Sequence, residues 1–338
     1  MKLVTTLEGG LPRHGVVVGS EVVDLQRALL VHERDAGKRD ATLSAIDAQY
    51  GVGLLGLIEK QDAAMPKVRE IVRRAEQNEL SAHADGQPLK KPLAGAKLLS
   101  PLPRPPSMRD GYAFRQHVAT ARKNRGLDMI PEFDQFPVFY FTNHQAVIGP
   151  GELRVMPLHL EKLDFELEAA IVVGKRSRNL KTQDADAHVF GMTIMNDFSA
   201  RVLQMEEMKL SLGPAKGKDF ATALGPWVVT LDELEDKSIK GDKGASFDLR
   251  MTAHVNGTQV SEGNVKDMSW TFAQILERAS YGVTLHPGDV IGSGTCGTGC
   301  FLELNGSKIT HNQWLQVGDV ITLAIERLGQ LENVVVAE

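Results

Sequence analysis

The segment LDFELEAAIVVG, residues 163–174, runs two glutamates straight into an unbroken apolar stretch, and that constrains everything built around it. Side chains alternate faces along a strand, so Glu166 and Glu168 point one way while Phe165 and Leu167 point the other. The apolar residues that follow predict a strand entering a core. Two like charges a few ångströms apart near a core repel and lose solvation unless a cation sits between them. The pair therefore reads as half of an oxygen-ligand site for Mg²⁺ or Ca²⁺. The bland alternative is a solvated edge strand with its acids in water.

The rest of the chain divides near residue 100. Residues 2–25 read as short strands with glycine turns at Gly9-Gly10 and Gly15. Helical patterns follow between residues 23 and 78. In PKVREIVRRAEQ, Val68, Ile71, Val72 and Ala75 keep helical spacing, and Pro66 suits a first helical position. Residues 81–106 are rich in Ala, Gly, Pro and Lys and end in SPLPRPP, an extended, helix-breaking run. Beyond it come FPVFYF, AAIVVG, VFGMTIM, PWVVTL, DLRMTAHV, DVIGSG, CFLEL and ITLAIE, with few helices besides SWTFAQILERAS. Short β-branched and aromatic runs with few crossovers predict a mainly β, α+β chain with antiparallel or mixed sheets.

Further chemistry-bearing residues lie in four clusters. In VFGMTIMND an apolar strand ends at Met195 and Asn196-Asp197 follow, so Asp197 could serve a ligand at the strand's C-terminal end, or Asn196, Asp197 or Ser199 could merely cap a helix starting near Ser199. Asp110, Tyr112, Arg115 and His117 crowd into eight residues after the proline-rich run, and an imidazole is the usual general base near neutral pH. Four glycines in GSGTCGTG let the backbone approach a ligand closely, and Glu303 follows in what reads as a strand. That loop lacks both the Gly-Lys-Ser/Thr of a P-loop and the helix of a dinucleotide fingerprint. Lys216 and Lys218 sit among glycines, where a lysine can stabilise developing negative charge or be an exposed charge in a mobile loop.

Bulk properties exclude several classes. A chain of 338 residues with 42% hydrophobic residues is long enough for two domains and a sizeable core. A net charge of −5 and a pI near 6.1 argue against nucleic acid as a partner. No apolar run is long enough to span a membrane, and MKLVTTLEGG has no secretory h-region. Cys296 and Cys300 complete no zinc pattern, and the expected setting is the reduced cytoplasm.

Taken in order, Asp-x-Tyr with Arg-Gln-His, Glu-x-Glu, Met-Asn-Asp-x-Ser-Ala-Arg, Gly-Lys-x-Phe, Ser-Gly-Thr and a late Glu resemble the fumarylacetoacetate hydrolase family. The likeness runs from about residue 100 to the C-terminus and implies a catalytic mixed β-roll over 101–338. Before it the resemblance implies a small SH3-like barrel over 1–100, elaborated by the helical insertion, with dimers as the usual assembly. It places metal ligands on Asp110, Glu166, Glu168 and Asp197, for Mg²⁺, Ca²⁺ or Mn²⁺. The catalytic base falls on His117, its orienting carboxylate on Glu303, and the residue that stabilises a departing carbanion on Lys218. Tyr112, Arg125, Tyr140, Gln204 and Thr295 match substrate contacts, and Arg201 matches the arginine of Ser-Ala-Arg. Arg125 lies one residue closer to His117 than in fumarylacetoacetases, Met208 stands where a substrate-binding tyrosine is expected, and the loop before Glu303 is shorter.

The implied activity is metal-dependent hydrolysis of a carbon–carbon bond in a small β-diketo acid, fumarylacetoacetate or a related acylpyruvate, as in aromatic catabolism. An oxaloacetate-type decarboxylase or a hydratase is the alternative within the family. A metal-binding scaffold without chemistry is the alternative outside it, and intact His117 and Glu303 speak against that.

Overall fold

The computed structural model describes residues 1–338. Strands β1 (Lys2–Glu8), β2 (Leu11–Val18) and β3 (Glu21–Asp24) form an antiparallel meander. Four helices follow: α1 (Leu25–Asp35), α2 (Leu43–Tyr50), α3 (Gly53–Glu59) and α4 (Gln61–Glu76). Asp24 starts α1 by accepting the Arg27 N–H, and Thr42 does the same for α2. In α4 Val68, Ile71 and Ala75 of the expected apolar stripe are buried, Val72 is half-buried, and Ala64 and Met65 extend the buried face upstream. Pro66 is not at its first position, however. The alanine-rich QDAAM extends the helix upstream, so the proline lies inside it.

Short strand β4 (Lys90–Pro92) returns beside β3. The chain then enters the larger half through β5 (Met108–Gly111), α5 (Arg115–Lys123), β6 (Phe139–Phe141), β7 (Gly151–Val155), β8 (Leu167–Val173), β9 (Val189–Asp197), α6 (Arg201–Met208) and β10 (Thr222–Thr230). It ends with β11 (Arg250–Val255), β12 (Thr258–Asn264), α7 (Phe272–Ser280), β13 (Val290–Gly292), α8 (Phe301–Gly306), β14 (Val320–Ile325) and β15 (Gly329–Ala337).

One mixed sheet of twelve strands carries ten in the order β4-β3-β2-β1-β10-β9-β8-β13-β5-β6, with the short strands Val147–Ile148 and Leu98–Leu99 pairing with β10 and β1; a second sheet carries β7-β15-β14-β11-β12. The fold is α+β and mostly sheet, as expected. The N-terminal strands do not close into a barrel: β1 pairs with β10, so the meander continues into the main sheet. CFLEL, expected as a strand, is the start of α8 instead, for a reason that belongs to the site below.

Strand β8 explains its own sequence. Leu167, Ala169, Ile171 and Val173 pack into the core shared with the second sheet, while Ala170 and Val172 pack into the core under α1–α4. A strand covered on both faces needs apolar residues throughout. Glu168 within the strand and Glu166 just before it are therefore carried into the interior.

Arg13 and His14 belong to β2 and pair with Thr6 and Thr5. His14 is buried, and desolvation pushes its imidazole down to about 4. The unfolded chain thus binds a proton at His14 between about pH 6.5 and 4 that the folded chain refuses, and stability falls as pH drops through that window. At full extent the loss is about 3 kcal/mol. Denaturant unfolding of wild type and His14→Leu across pH 4–7.5 should give a stability difference that changes by that amount. A difference independent of pH would show that His14 carries no such linkage.

Candidate metal and acid–base site

Asp110, Glu166, Glu168 and Asp197 converge, each offering an oxygen within 4.8 Å of the others, and all four are buried. Four elements bring them there. Parallel pairing of β5 with β13 sets Asp110 opposite Gly292, and β8 presents Glu168 with Glu166 just before its start. Asp197 ends β9, where Asn196 accepts the Glu166 N–H at 2.9 Å. Gly292 has no Cβ to fill the space: one would lie 2.5 Å from Asp110 Oδ1 and 2.9 Å from Glu168 Oε2.

The donor set fits a hard divalent cation. Both oxygens of Glu168 and Oδ1 of Asp197 are buried without a hydrogen-bond partner, which is costly for a carboxylate. Oxygens coordinated at roughly 2.1–2.4 Å stand up to ~4–5 Å apart across an ion, matching the observed spread. Burial and the facing carboxylates push Asp110 up to about 7 and Glu168 well above the ordinary range. Burial raises Glu166 too, but Lys218, Arg201 and His117 outweigh it and hold that carboxyl at about 2.

Lys218 is not in a mobile loop. It is buried and donates to Glu166 Oε2 at 2.6 Å and Asp197 Oδ2 at 2.7 Å, whereas Lys216 lies outside and pairs with Asp219. Arg201 bonds Asp164 at 2.8 Å, Glu166 at 2.8 Å and Gln204 at 2.9 Å. Tyr140 donates to Asp197 Oδ2 at 2.5 Å. Two cations thus face five buried carboxylates, leaving an excess of negative charge for an ion to neutralise.

The second feature is the buried pair His117 and Glu303, with Nδ1 2.5 Å from Oε2. A carboxylate only accepts, so Nδ1 carries the proton and Nε2 is left as the free nitrogen. Asn124 of the turn after α5 bonds the Glu303 carbonyl at 3.3 Å and Ser307 at 3.2 Å, tying the two helices together. The Tyr112 ring stands edge-on to His117.

Both features border one cleft of about 490 Å³, lined also by Tyr112, Arg125, Tyr140, Arg201, Gln204 and Thr295. The residues that the resemblance marks as ligands, base, orienting carboxylate and substrate contacts therefore come together, whereas Arg115 and Lys216 pair with Asp134 and Asp219 outside the site. Arg125, exposed at the cleft's edge, holds its Nε to the Ala121 carbonyl at 3.0 Å; the Thr295 side chain bonds the Leu167 carbonyl, at 3.4 Å. Met205, Met208 and Leu302 give the cleft an apolar wall that sequence reasoning did not anticipate beyond Met208.

Asp164 was also missed. It is fully buried and accepts from the Phe301 N–H at 2.7 Å and the Leu302 N–H at 3.0 Å. This is why CFLEL turns into a helix: the free N–H groups of its first turn are taken up by a carboxylate from another element. Asp164, Glu166 and Glu168 alternate with period two, and that ladder was the available signal.

Residues 107–336, more than half the chain, match the family described as Fumarylacetoacetate (FAA) hydrolase C-terminal. The chain belongs to the fumarylacetoacetate hydrolase family. It is 30% identical over 248 residues to the oxaloacetate tautomerase YisK of Bacillus subtilis (strain 168), covering 71% of this chain and 73% of that protein. It is 33% identical over 201 residues to a mitochondrial oxaloacetate tautomerase of Homo sapiens, spanning about three-fifths of each (59% and 59%). It is 34% identical over 218 residues to the fumarylacetoacetase of Arabidopsis thaliana, covering 54% of this chain and 49% of that one. Among solved structures, the fumarylacetoacetate hydrolase of Exiguobacterium antarcticum superposes over both whole chains with a TM-score of 0.68 at 25% identity. The maleylpyruvate hydrolase of Sphingobium sp. SYK-6, in complex with manganese(II) and pyruvate, shares the fold with a TM-score of 0.67 at 23% identity, covering 100% of this chain and 99% of that one. Members of this family are thus enzymes, with hydrolases and tautomerases among them. No helix of the chain is long and apolar enough to cross a membrane.

Proposed function

We propose that this chain hydrolyses a carbon–carbon bond in a small β-diketo acid, using one divalent cation. The observation that carries the reading is the buried His117–Glu303 pair, bordering the same cleft as Asp110 and Glu166 of the four-carboxylate cluster. Asp110, Glu166, Glu168 and Asp197 would hold the ion, and a manganese(II)–pyruvate complex in a protein of the same fold supports that assignment. When bound, a divalent cation polarises the oxygens of a keto acid and favours its enol form.

The remaining work belongs to side chains. Glu303 fixes the ring of His117, whose Nε2 takes a proton from water while the oxygen attacks the distal carbonyl carbon. The carbon–carbon bond then breaks, its electron pair passing to the departing carbon, which His117 reprotonates. Lys218, Arg125 and the Gln204 amide offer positive charge and donors to the developing oxyanions. Tyr112, Tyr140 and Thr295 border the bound molecule, and Arg201 holds Gln204 and Glu166 in place. An N-terminal unit over 1–100, a homodimer, a cytoplasmic setting and a role in aromatic catabolism belong to the same proposal.

A second reading, keto–enol tautomerisation of oxaloacetate, is favoured by the likeness to two oxaloacetate tautomerases. There His117 would move a proton between carbon and oxygen, and no carbon–carbon bond would break. Incubation with fumarylacetoacetate, acetopyruvate and oxaloacetate, each with Mg²⁺, Mn²⁺ or Ca²⁺, separates the two. The hydrolase reading expects acetopyruvate to yield acetate and pyruvate. Intact diketo acids alongside rapid interconversion of oxaloacetate forms would replace it with the tautomerase reading, and pyruvate with carbon dioxide from oxaloacetate would indicate a decarboxylase.

A further inference from the structure

Two buried carboxylates of the site lie outside the four-oxygen cluster, Glu303 beside His117 and Asp164. Asp164 faces no imidazole. All of its acceptor capacity is used. Oδ1 accepts from the Phe165 N–H at 3.0 Å and the Phe301 N–H at 2.7 Å; Oδ2 accepts from the Leu302 N–H at 3.0 Å and from Arg201 Nε at 2.8 Å. These donors come from two separate machines. Phe301 and Leu302 open α8, the helix whose third residue is Glu303, the partner of His117. Arg201 opens α6 and bridges Asp164 to Glu166.

We propose that Asp164 is a positioning residue that locks the His117–Glu303 pair and the Arg201–Glu166 arm into one register. A carboxylate is needed because every neighbour is a donor: three backbone N–H groups and a guanidinium leave no room for an amide NH₂. The helix is only six residues long, and besides these bonds its first turn is held by buried Phe301, whose ring stands edge-on to Phe165, the residue next to Asp164. Glu303 therefore inherits its place from Asp164. Asn124 holds the same helix from its far end, through the Glu303 carbonyl and Ser307. The side chain of Asp164 touches neither the cation-binding oxygens nor the reacting atoms, so its influence passes through Glu303 and Arg201.

The proposal rests on the acid–base reading of His117, and its test keeps the two separable. In metal-free, full-length protein, the His117 Nδ1 proton bonded to Glu303 should give a far-downfield resonance, assigned by its absence in Glu303→Gln. Asp164→Asn should remove or strongly shift that resonance while the circular dichroism spectrum stays native. Mn²⁺-supported turnover of whichever of acetopyruvate, fumarylacetoacetate or oxaloacetate wild type consumes fastest should fall about 10–100-fold in kcat, more than KM changes. In the Glu303→Gln background the same substitution should cost less than about 3-fold, because its path is already cut. Where the asparagine variant does not fold, Asp164→Ser, smaller and still an acceptor, takes its place with the same expectations. An unaltered His117 resonance, or losses that simply multiply in the double variant, would overturn the positioning role. A wild type that consumes none of the three substrates defeats the functional reading, and the resonance alone then decides about Asp164.

Discussion

Replacing His117 by glutamine is expected to lower turnover by about 10²–10⁴-fold while leaving Mn²⁺ affinity unchanged. The size follows from the loss of a positioned general base, equivalent to about 3–5 kcal/mol of barrier. The selectivity follows from geometry. His117 bonds Glu303, and none of its bonds goes to Asp110, Glu166, Glu168 or Asp197, so a change there leaves the cation's oxygens where they are. Glu303→Gln should fall in the same direction, since an amide can donate to Nδ1 and so favours the wrong tautomer. Calorimetric titration with Mn²⁺ and steady-state kinetics on the same samples check both halves. Turnover within a few-fold of wild type would remove His117 from the chemistry, and it is also what decarboxylation, which needs no attacking water, would give.

How much of this could be read without coordinates depends on where each signal lives. Glu166 and Glu168 announced themselves because a strand's two-residue period and the apolar run behind them forced both into the interior. His117 was legible only through its neighbours and the order of motifs, since its partner Glu303 lies 186 residues away. Long-range pairing of that kind has no local trace. CFLEL was misread for the same reason: its alternation satisfies a strand, and the carboxylate that makes it a helix is supplied by residue 164. Pro66 was misplaced because the helix it marks begins five residues earlier, on residues of good helix propensity that carry no boundary signal. The expected barrel depended on a topology, and the register β1-β10 that opens it into the main sheet is set by residues more than two hundred positions apart.

Gly292 offers a test of the cation cradle that removes no ligand. Its Cα stands where the β5–β13 and β8–β13 pairings meet, opposite both Asp110 and Ala170. A methyl group there would lie 2.5 Å from Asp110 Oδ1, 2.8 Å from Met195 Sδ and 2.9 Å from Glu168 Oε2, all closer than contact permits. Strand pairing on both sides prevents the backbone from yielding, so the carboxylates must. Gly292→Ala is therefore expected to weaken Mn²⁺ binding by about 10–100-fold, the scale seen when groups supporting metal ligands are disturbed. The overpacking itself should cost about 1–3 kcal/mol of stability in metal-free protein. The thermal midpoint gained on adding Mn²⁺ should shrink with the affinity, because an ion stabilises only as far as it prefers the folded chain. Glu168→Ala, which deletes a ligand outright, should weaken binding further still. If Gly292→Ala bound Mn²⁺ as tightly as wild type, the oxygens of Asp110 and Glu168 would not be where a shared cation needs them, and the four-carboxylate site would have to be abandoned.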